Sequence, residues 1–513
     1  MTRSRRKASP HELKRTLRRV FGHAALRPGQ EDVIRAVMSG HDTLAVMPTG
    51  SGKSLCYQLP GLHLEGTTVV VSPLISLMKD QSDKLEGIGI EASQLNSALS
   101  KAETDASIQR LRDGGEFMFT TPERLASDPA FVEMLKRNTV DRFVIDEAHC
   151  VSQWGHDFRP AFAELKPVIA ALGHPPVLAL TATATPQVID DIVASLGLRD
   201  PTIINTGIFR PNLRLEVLQT PSDAEKRLRL TELVRAREGT GIVYTATVKQ
   251  VEAVEGELRA AGLVVEKYHG RLPARARRET QDRFIAGELD AIVATNAFGM
   301  GIDKPDIRFV AHYAIPASLE AYYQEAGRAG RDGEPARCVL LFNAADRRTH
   351  RYFIAKSFAA ARSRLAQKGL GAGELAKRLR AQEQRQQRNE DKLEQMIAYA
   401  QTASCRWRAL LEYFEEPDLA ADFRCGMCDA CLHPLESQAA AAEAVPAIFP
   451  RPAESPLPPP DESGAGESLR EGQTVEVPEF GEGEVAALNG DKVDVAFADG
   501  TVRTFKSSFV TPA

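Results

Sequence analysis

Short apolar runs separated by longer amphipathic stretches occupy the first two thirds of the chain. Each run is rich in Val, Ile and Leu and only a few residues long, which predicts a buried strand. Because most runs are followed by a stretch long enough for a crossover helix, the strands should be parallel. The predicted strands are residues 43–47, 67–72, 116–120, 142–146 and 176–181, followed by 241–244, 263–267, 291–295, 308–312 and 336–342.

The two sets of strands predict two similar α/β domains side by side, over residues 1–208 and 209–345. We interpret residues 209–217 as the connecting stretch that opens the second domain. The pattern changes after residue 345, where residues 346–432 are rich in Arg and Gln and predict helices.

The last part of the chain has two further patterns. Residues 433–470 are rich in Pro, Ala and Glu, which is typical of a flexible linker. Residues 471–513 alternate apolar and polar positions between Gly-containing turns, which predicts a small β-barrel.

Composition and charge narrow the class of protein. No apolar run approaches the roughly 20 residues that cross a bilayer, and the basic N-terminus has no apolar signal core, so we expect a protein of the cytoplasm. The net charge is −5, but residues 347–408 hold 15 Lys and Arg against 5 Asp and Glu, whereas residues 451–513 hold 12 acidic and 5 basic residues. The acidic tail therefore masks a basic body that can bind a polyanion, although a basic helix face can also be merely solvated.

A candidate phosphate-binding loop, Met47-Pro-Thr-Gly-Ser-Gly-Lys-Ser54, lies between a predicted strand and a predicted helix. Its small residues allow backbone N–H groups to surround phosphates, its lysine adds a positive charge, and its final hydroxyl can ligate Mg²⁺. Met47 stands where the full P-loop pattern has glycine, so the strict motif is incomplete at its first position. The predicted ATP-binding residues here are Thr49, Gly50, Ser51, Gly52, Lys53 and Ser54.

Two further motifs supply candidate catalytic groups. Asp146 and Glu147 follow a predicted strand directly; Asp146 can hold Mg²⁺ with Ser54, and Glu147 can orient and deprotonate the attacking water. Arg328 and Arg331, three residues apart on what we predict to be one helix face of the second domain, can stabilise the charge that develops on the γ-phosphate. ATP should then bind between the two domains.

Four of the seven cysteines fall within 27 residues, at Cys405, Cys425, Cys428 and Cys431. Four thiolates at this spacing suit a closed tetrahedral Zn²⁺ site with a structural role. An iron–sulfur cluster and four unligated thiols stay open as alternatives on spacing alone.

Taken together, these motifs resemble the RecQ family of superfamily 2 helicases over residues 20–432. Besides the phosphate loop, the resemblance is carried by SPLISLMKDQ (72–81), DEAHCVSQWGHDFRP (146–160), ATNAFGMGIDKPDIRFV (294–310) and YYQEAGRAGRDG (322–333). It implies two RecA-like domains, a zinc module, and an ATP-dependent DNA helicase of 3′→5′ polarity that acts in DNA repair and recombination. It also implies that Arg27 and Gln30 contact the adenine of ATP.

The segment after Glu147 is a candidate coupling loop between DNA and the ATP site. Trp154 and Phe158 can stack on bases, while His156 and Arg159 are too polar for a simple core segment. The loop should reorder when single-stranded DNA binds and thereby align Glu147. A packed core loop is the alternative.

The chain departs from longer family members after the zinc module, where no winged helix is recognisable and the last 43 residues resemble the Tudor-like tail of another helicase class. An acidic barrel is a poor DNA ligand, so we expect it to dock a protein partner or to act only as a solubilising tail. The expected DNA partners are single-stranded and forked DNA at the bacterial nucleoid.

Two other functions stay open on the sequence. One is a translocase or RNA helicase that hydrolyses ATP without separating DNA strands, and the other is a nucleic-acid-binding scaffold with an inactive ATPase. The presence of Lys53, Glu147 and Arg331 disfavours the scaffold.

Overall fold

A computed structural model of the chain describes most of its 513 residues. The described residues are 8–152, 155, 157–299, 304–367, 371–417, 419–434, 472–477, 481–489, 492–497, 501–506 and 510–512. They form two compact units, one within residues 1–449 and one within residues 450–513. The predicted linker, residues 433–470, lies almost wholly outside the described residues.

The first α/β domain is built on a seven-stranded parallel sheet with strand order β3-β4-β2-β5-β6-β1-β7. Its strands are β1 (Thr43–Val46), β2 (Thr67–Val71), β3 (Ala92–Leu95), β4 (Phe117–Thr120), β5 (Val140–Ile145), β6 (Val177–Thr181) and β7 (Thr202–Asn205). Its helices are α1 (Pro10–Arg19), α2 (Gln30–Ser39), α3 (Leu55–Gly61), α4 (Ile75–Gly87), α5 (Lys101–Arg112), α6 (Pro122–Ser127), α7 (Pro129–Arg137), α8 (Leu165–Ala171) and α9 (Pro186–Leu196). Helices cover both faces, which explains why the central strands are buried at nearly every position.

The second domain has a six-stranded parallel sheet with strand order β10-β11-β9-β12-β13-β8. Its strands are β8 (Leu213–Gln219), β9 (Gly241–Tyr244), β10 (Val265–Tyr268), β11 (Ala291–Ala294), β12 (Phe309–His312) and β13 (Ala336–Phe342). Its helices are α10 (Asp223–Arg235), α11 (Val248–Ala260), α12 (Ala274–Ile285) and α13 (Leu319–Ala326). Residues 209–217, which we interpret from the sequence as a connecting stretch, contain the start of a strand, because β8 begins within them and pairs with β13 along its whole length.

A helical module follows the second sheet. It contains α14 (Asp346–Ala366), α15 (Ala372–Gln401), α16 (Arg406–Tyr413) and α17 (Asp429–Leu432). The longest two helices pack against each other as a hairpin. Apolar side chains of α15 and α16 share one core with the second sheet, so the module extends that domain instead of standing apart.

The C-terminal unit is a five-stranded antiparallel sheet with strand order β17-β16-β15-β14-β18. Its strands are β14 (Thr474–Val477), β15 (Gly481–Asn489), β16 (Lys492–Phe497), β17 (Val502–Lys506) and β18 (Thr511–Pro512). Among the described residues of this unit, six buried valines form the core, with Phe497 and Phe505 packed at the side. The predicted fold class is confirmed: two parallel-sheet domains, a helical cysteine-bearing module and a small β unit. Among the described residues, no helix is long and apolar enough to span a bilayer.

Candidate active site

The phosphate-binding loop lies between β1 and α3, at the carboxyl edge of the first sheet. Gly50 and Gly52 have φ angles of 84° and 80°, which side-chain-bearing residues rarely adopt, so glycine allows the loop to curl tightly. The Lys53 side chain folds back over the loop, and its Nζ donates hydrogen bonds to Met47 O at 3.1 Å and to Pro48 O at 3.4 Å. Phosphate oxygens can replace these two carbonyl acceptors when a nucleotide binds.

Asp146 and Glu147 follow β5 directly and line the same cleft as Lys53 and the Ser54 hydroxyl. Burial raises the pKa of Asp146 to about 7; the Glu147 carboxylate adds to this shift and the Lys53 ammonium opposes it. Glu147 has a φ of 51°, and its Oε2 lies 3.4 Å from His149 Nδ1. That oxygen accepts no hydrogen bond from the part of the chain that the structure describes. Two half-buried carboxylates beside a hydroxyl form a donor set that suits a hard divalent cation such as Mg²⁺.

Arg27 and Gln30 brace the phosphate loop from outside. Gln30 Nε2 donates to Ser51 O at 3.0 Å and to Gly52 O at 2.9 Å, and Gln30 Oε1 accepts from the Arg27 backbone N–H at 2.7 Å. The Arg27 guanidinium donates to Gly50 O. Both side chains also line the cleft, so they connect its outer end to the conformation of the loop.

Arg328 and Arg331 reach the same cleft from the second domain, but they do not share a helix face as the sequence pattern predicts. The helix α13 ends at Ala326, and both arginines lie in the turn that follows. At Gly327 an added Cβ would lie 3.1 Å from the Thr49 Cβ, so glycine permits this turn to approach the phosphate loop. An added Cβ on Gly50 would lie 3.2 Å from Arg331 Cγ, which shows how closely that arginine packs against the loop.

Arg210 is a buried residue of this site that the motif analysis missed. Its guanidinium donates to Thr49 O at 3.2 Å in the first domain, and to Gly327 O at 2.8 Å and Ala329 O at 3.0 Å in the second. It also donates to Gly330 O. Arg210 therefore joins the phosphate loop to the arginine-bearing turn. In the sequence, Arg210 is a single arginine between Phe209 and Pro211, outside any motif. Its role could not be predicted, because its acceptors become neighbours only in the folded chain.

Together these residues enclose a cleft of about 850 Å³ between the two sheets. Its outer end is lined by Phe21 and His23, its floor by the phosphate loop and the carboxylates, and its far wall by side chains of the second domain. The second-domain residues that line it include Asn296, Gly299, Ser318, Gln324, Glu325, Arg328 and Arg331. The structure thus brings the predicted ATP-binding and catalytic residues to one place.

The described part of the candidate coupling loop lies against this cleft. The Arg159 guanidinium donates to Asp157 Oδ2 at 3.1 and 3.2 Å and to Pro73 O at 3.0 Å, and both Asp157 and Arg159 line the cleft. Phe158 points elsewhere, with the Arg385 guanidinium of α15 5.7 Å from its ring centroid. Trp154 and His156 lie outside the described residues.

The four clustered cysteines converge in the helical module. The Sγ atoms of Cys405, Cys425, Cys428 and Cys431 all lie within 4.8 Å of one another. Backbone N–H groups of residues 406, 425 and 428 donate to these sulfurs at 3.3 to 3.4 Å, which stabilises thiolate charge. Four mutually close sulfurs with backbone donors around them fit a tetrahedral Zn²⁺ ion.

The cysteine cluster is tied to the second sheet by the residues that follow Cys405. The Arg406 guanidinium forms a two-pronged ion pair with Asp429, at 2.9 and 3.0 Å, and the same carboxylate accepts from the Val217 backbone at 3.0 Å. Trp407 is fully buried, and its indole N–H donates to Leu213 O at 3.0 Å. Metal binding should therefore stabilise strand β8 as well as the module.

Comparison with known proteins places these features in one family. Family models match a DEAD/DEAH box helicase domain at residues 27–192, a helicase conserved C-terminal domain at 225–333 and a RecQ zinc-binding domain at 344–432. The ATP-dependent DNA helicase RecQ of Bacillus subtilis is 42% identical over 421 residues, which cover 82% of this chain and 67% of the relative. The chain belongs to the RecQ family.

Other RecQ-family relatives cover the same region. The probable ATP-dependent DNA helicase RecS of Bacillus subtilis is 40% identical over 405 residues, covering 79% of each chain. Among solved structures, the Mycobacterium smegmatis helicase Lhr bound to single-stranded DNA and AMP-PNP has a TM-score of 0.53 at 22% identity, covering 74% of this chain and 56% of that one. At this identity the likeness supports the two-domain α/β fold alone. The zinc-binding match identifies the cysteine cluster of this RecQ-family chain as its zinc site.

Proposed function

We propose that this RecQ-family chain is an ATP-dependent DNA helicase that moves 3′→5′ along one strand and separates the duplex ahead of it. The observation that carries the proposal is the cleft, in which a phosphate loop and two acidic residues of one domain face two arginines of the other. A site divided in this way links the state of the nucleotide to the spacing of the domains.

ATP binding is the first step that the geometry supports. Lys53 exchanges its carbonyl acceptors for phosphate oxygens, while the N–H groups of the glycine-rich loop surround the same phosphates. Ser54 and Asp146 would hold Mg²⁺, which neutralises phosphate charge when bound. Arg27 and Gln30 lie at the outer end of the cleft, where a base would enter.

Hydrolysis then depends on groups from both domains. Glu147 has a carboxylate oxygen that is available to orient and deprotonate a water. Arg328 and Arg331 would stabilise the negative charge that spreads over the γ-phosphate, and this stabilisation is complete only while the domains are close. Loss of the γ-phosphate removes that attraction, and the domains separate.

The proposal that the chain acts on DNA is supported by the basic residues of the helical module and by membership of the RecQ family. Single-stranded DNA would cross both domains and contact the basic helical module, with forked DNA as the natural substrate at a strand junction. The 3′→5′ polarity and a role in DNA repair and recombination, at the chromosome, follow from family membership. We also propose that the C-terminal sheet, which belongs to an acidic segment, docks a protein partner and not DNA.

Lys53→Ala tests the nucleotide part of the proposal. We expect it to abolish ATP turnover, because the phosphate charge then has no ammonium partner, while single-strand binding stays within about threefold since the basic surface lies elsewhere. Turnover should be measured without nucleic acid, with single-stranded DNA and with single-stranded RNA. Residual turnover in the variant would refute the phosphate-loop assignment, and stimulation by RNA alone would favour an RNA helicase.

A further inference from the structure

Helix α14 has an unusual charge pattern for a surface helix. From Arg347 to Ala366 it carries six basic residues and no acidic residue. The only acid in the helix, Asp346, is engaged in a buried ion pair with Lys226 of α10 at 2.7 Å. Asp346 and His350, which contacts Ile315 O at 2.6 Å, fasten the start of α14 to the second domain. Arg347 and Arg351 pair with Glu394 of α15, at 2.8 and 3.3 Å. The positive charge of the remaining face is therefore that of Arg348, Lys356, Arg362 and Arg364.

Two large aromatic side chains lie exposed on this basic helix. Tyr352 is 60% exposed and Phe353 is 39% exposed, and their ring centroids are 5.9 Å apart. The Lys356 ammonium lies 5.6 Å from the centre of the Tyr352 ring. Because residues four apart share one helix face, Arg348, Tyr352 and Lys356 form a stripe in which an aromatic ring lies between two cations. We call this stripe, together with Phe353, the α14 platform.

We infer that the α14 platform binds single-stranded DNA by stacking an unpaired base on Tyr352 or Phe353 and pairing the adjacent phosphates with Arg348 and Lys356. An exposed aromatic ring leaves an apolar face in water, whereas an unpaired base offers that face a flat apolar partner. The positive charge around the rings complements a phosphate backbone. A base inside a duplex is already stacked on its neighbours, so the occupant is single-stranded. This inference deepens the proposed function, on which it rests, by naming a strand contact outside the two motor domains.

The test is the affinity of the whole protein for a fluorescent single-stranded oligonucleotide, compared with a blunt duplex of the same sequence. Tyr352→Ala combined with Phe353→Ala should weaken single-strand binding about tenfold, which is the loss expected for one stacked base. Tyr352→Trp should restore affinity to within about twofold, since it retains a stacking face. Lys356→Ala should reduce the number of counterions released on DNA binding by about one, measured as the slope of log affinity against log salt concentration.

The matched control is Leu228→Ala on α10. Leu228 is 56% exposed and has an arginine on each side, but Arg227 and Arg229 are each paired with carboxylates within 3.4 Å. Removing it should leave DNA affinity unchanged. Thermal unfolding of each variant confirms that the fold is retained.

Two results would overturn the inference. If the variant with both Tyr352→Ala and Phe353→Ala binds single-stranded DNA as tightly as the unchanged protein, base stacking on the platform is excluded. The platform would then be a candidate site for a protein partner. An equal loss on the blunt duplex would make it a duplex contact. A failure of the proposed function is distinguishable, because the unchanged protein would then show no ATP turnover stimulated by DNA.

Discussion

Arg210 connects the two domains at the ATP site by donating hydrogen bonds to backbone carbonyls of both. Its guanidinium donates to the phosphate loop on one side and to the arginine-bearing turn on the other. Burial lowers its pKa, but the guanidinium stays charged because its ordinary value is so high. Its role is therefore positional: it fixes where Arg331 stands relative to Gly50.

Replacement of Arg210 tests this positioning role. Arg210→Lys should lower kcat for ATP by about tenfold while changing KM by less than about threefold, because one lost charged hydrogen bond costs about 1.5–3 kcal/mol. Lysine keeps the charge but cannot bridge several carbonyls at once. Steady-state kinetics with saturating DNA provide the measurement. A variant with unchanged kcat, or with KM alone raised, would show that the bridge only stabilises the fold.

The site residues show what a sequence can and cannot predict at this scale. Lys53, Asp146 and Glu147 follow strands whose ends must meet at one sheet edge, so their proximity is implied by the parallel fold. The position of Arg210 could not be predicted in this way, because it binds backbone carbonyls, which every residue has. The expected helix face for Arg328 and Arg331 fails for a local reason: two glycines, Gly327 and Gly330, favour a turn that brings the chain against Thr49.

At the scale of elements, the zinc site acts as a clamp between α16, α17 and strand β8. Cys425→Ala, or prolonged chelation, should lower Tm by about 10 °C, because metal binding supplies folding free energy to the module and to the edge strand that it holds. Metal analysis of the unchanged protein should give about one Zn²⁺ per chain. Cys338→Ala is a matched control, since Cys338 is buried in β13 and is not among the four clustered sulfurs. Iron in place of zinc, or no metal with unchanged melting, would refute the assignment.

A second element-scale prediction concerns the contact between helix α15 and the coupling loop. Arg385→Ala should retain basal ATP turnover but lose several-fold of its stimulation by single-stranded DNA, because the guanidinium over Phe158 connects the basic hairpin to residues that line the cleft. Trp154→Ala, in the same loop, should behave in the same way.

The control for this prediction is Arg378→Ala. It removes the same charge from the same helix, but Arg378 pairs with Glu374 of α15 at 2.6 Å. If Arg378→Ala and Arg385→Ala lose the same stimulation, the effect is one of general charge. If Arg385→Ala also abolishes the basal ATP turnover, the contact between Arg385 and Phe158 stabilises the fold and does not transmit DNA binding.

The strands that could be predicted from the sequence are those whose burial gives a clear run of apolar residues. The central strands β1, β2, β5 and β6 are buried at nearly every position because helices cover both of their faces, and each contains an apolar run. The edge strands β3, β7 and β8 contain Ser, Gln, Asn, Arg or Glu, and none of the three is among the strands predicted from the sequence. Their pairing is decided by the neighbouring strand, which a local pattern does not record.

At the scale of the whole molecule, the chain consists of a motor with its zinc module and a separate β unit. Removal of residues 433–513 should leave ATP turnover and DNA affinity within about twofold of the full chain. The reason is that the described residues of the core shared by the second domain and the zinc module all precede residue 433. The comparison needs only the truncated and full chains at equal salt. A large loss of DNA binding on truncation would mean that the acidic unit, or the segment before it, contributes to the DNA site.

The central claim is that ATP turnover in the cleft between the two domains drives 3′→5′ movement along DNA. Strand displacement with ATP tests it most directly, on duplexes that carry either a 3′ or a 5′ single-stranded tail. The account predicts release of the displaced strand from the 3′-tailed duplex, little from the 5′-tailed one, and none from either with Lys53→Ala. Displacement from the 5′-tailed duplex alone, or no displacement despite DNA-stimulated turnover, would contradict it.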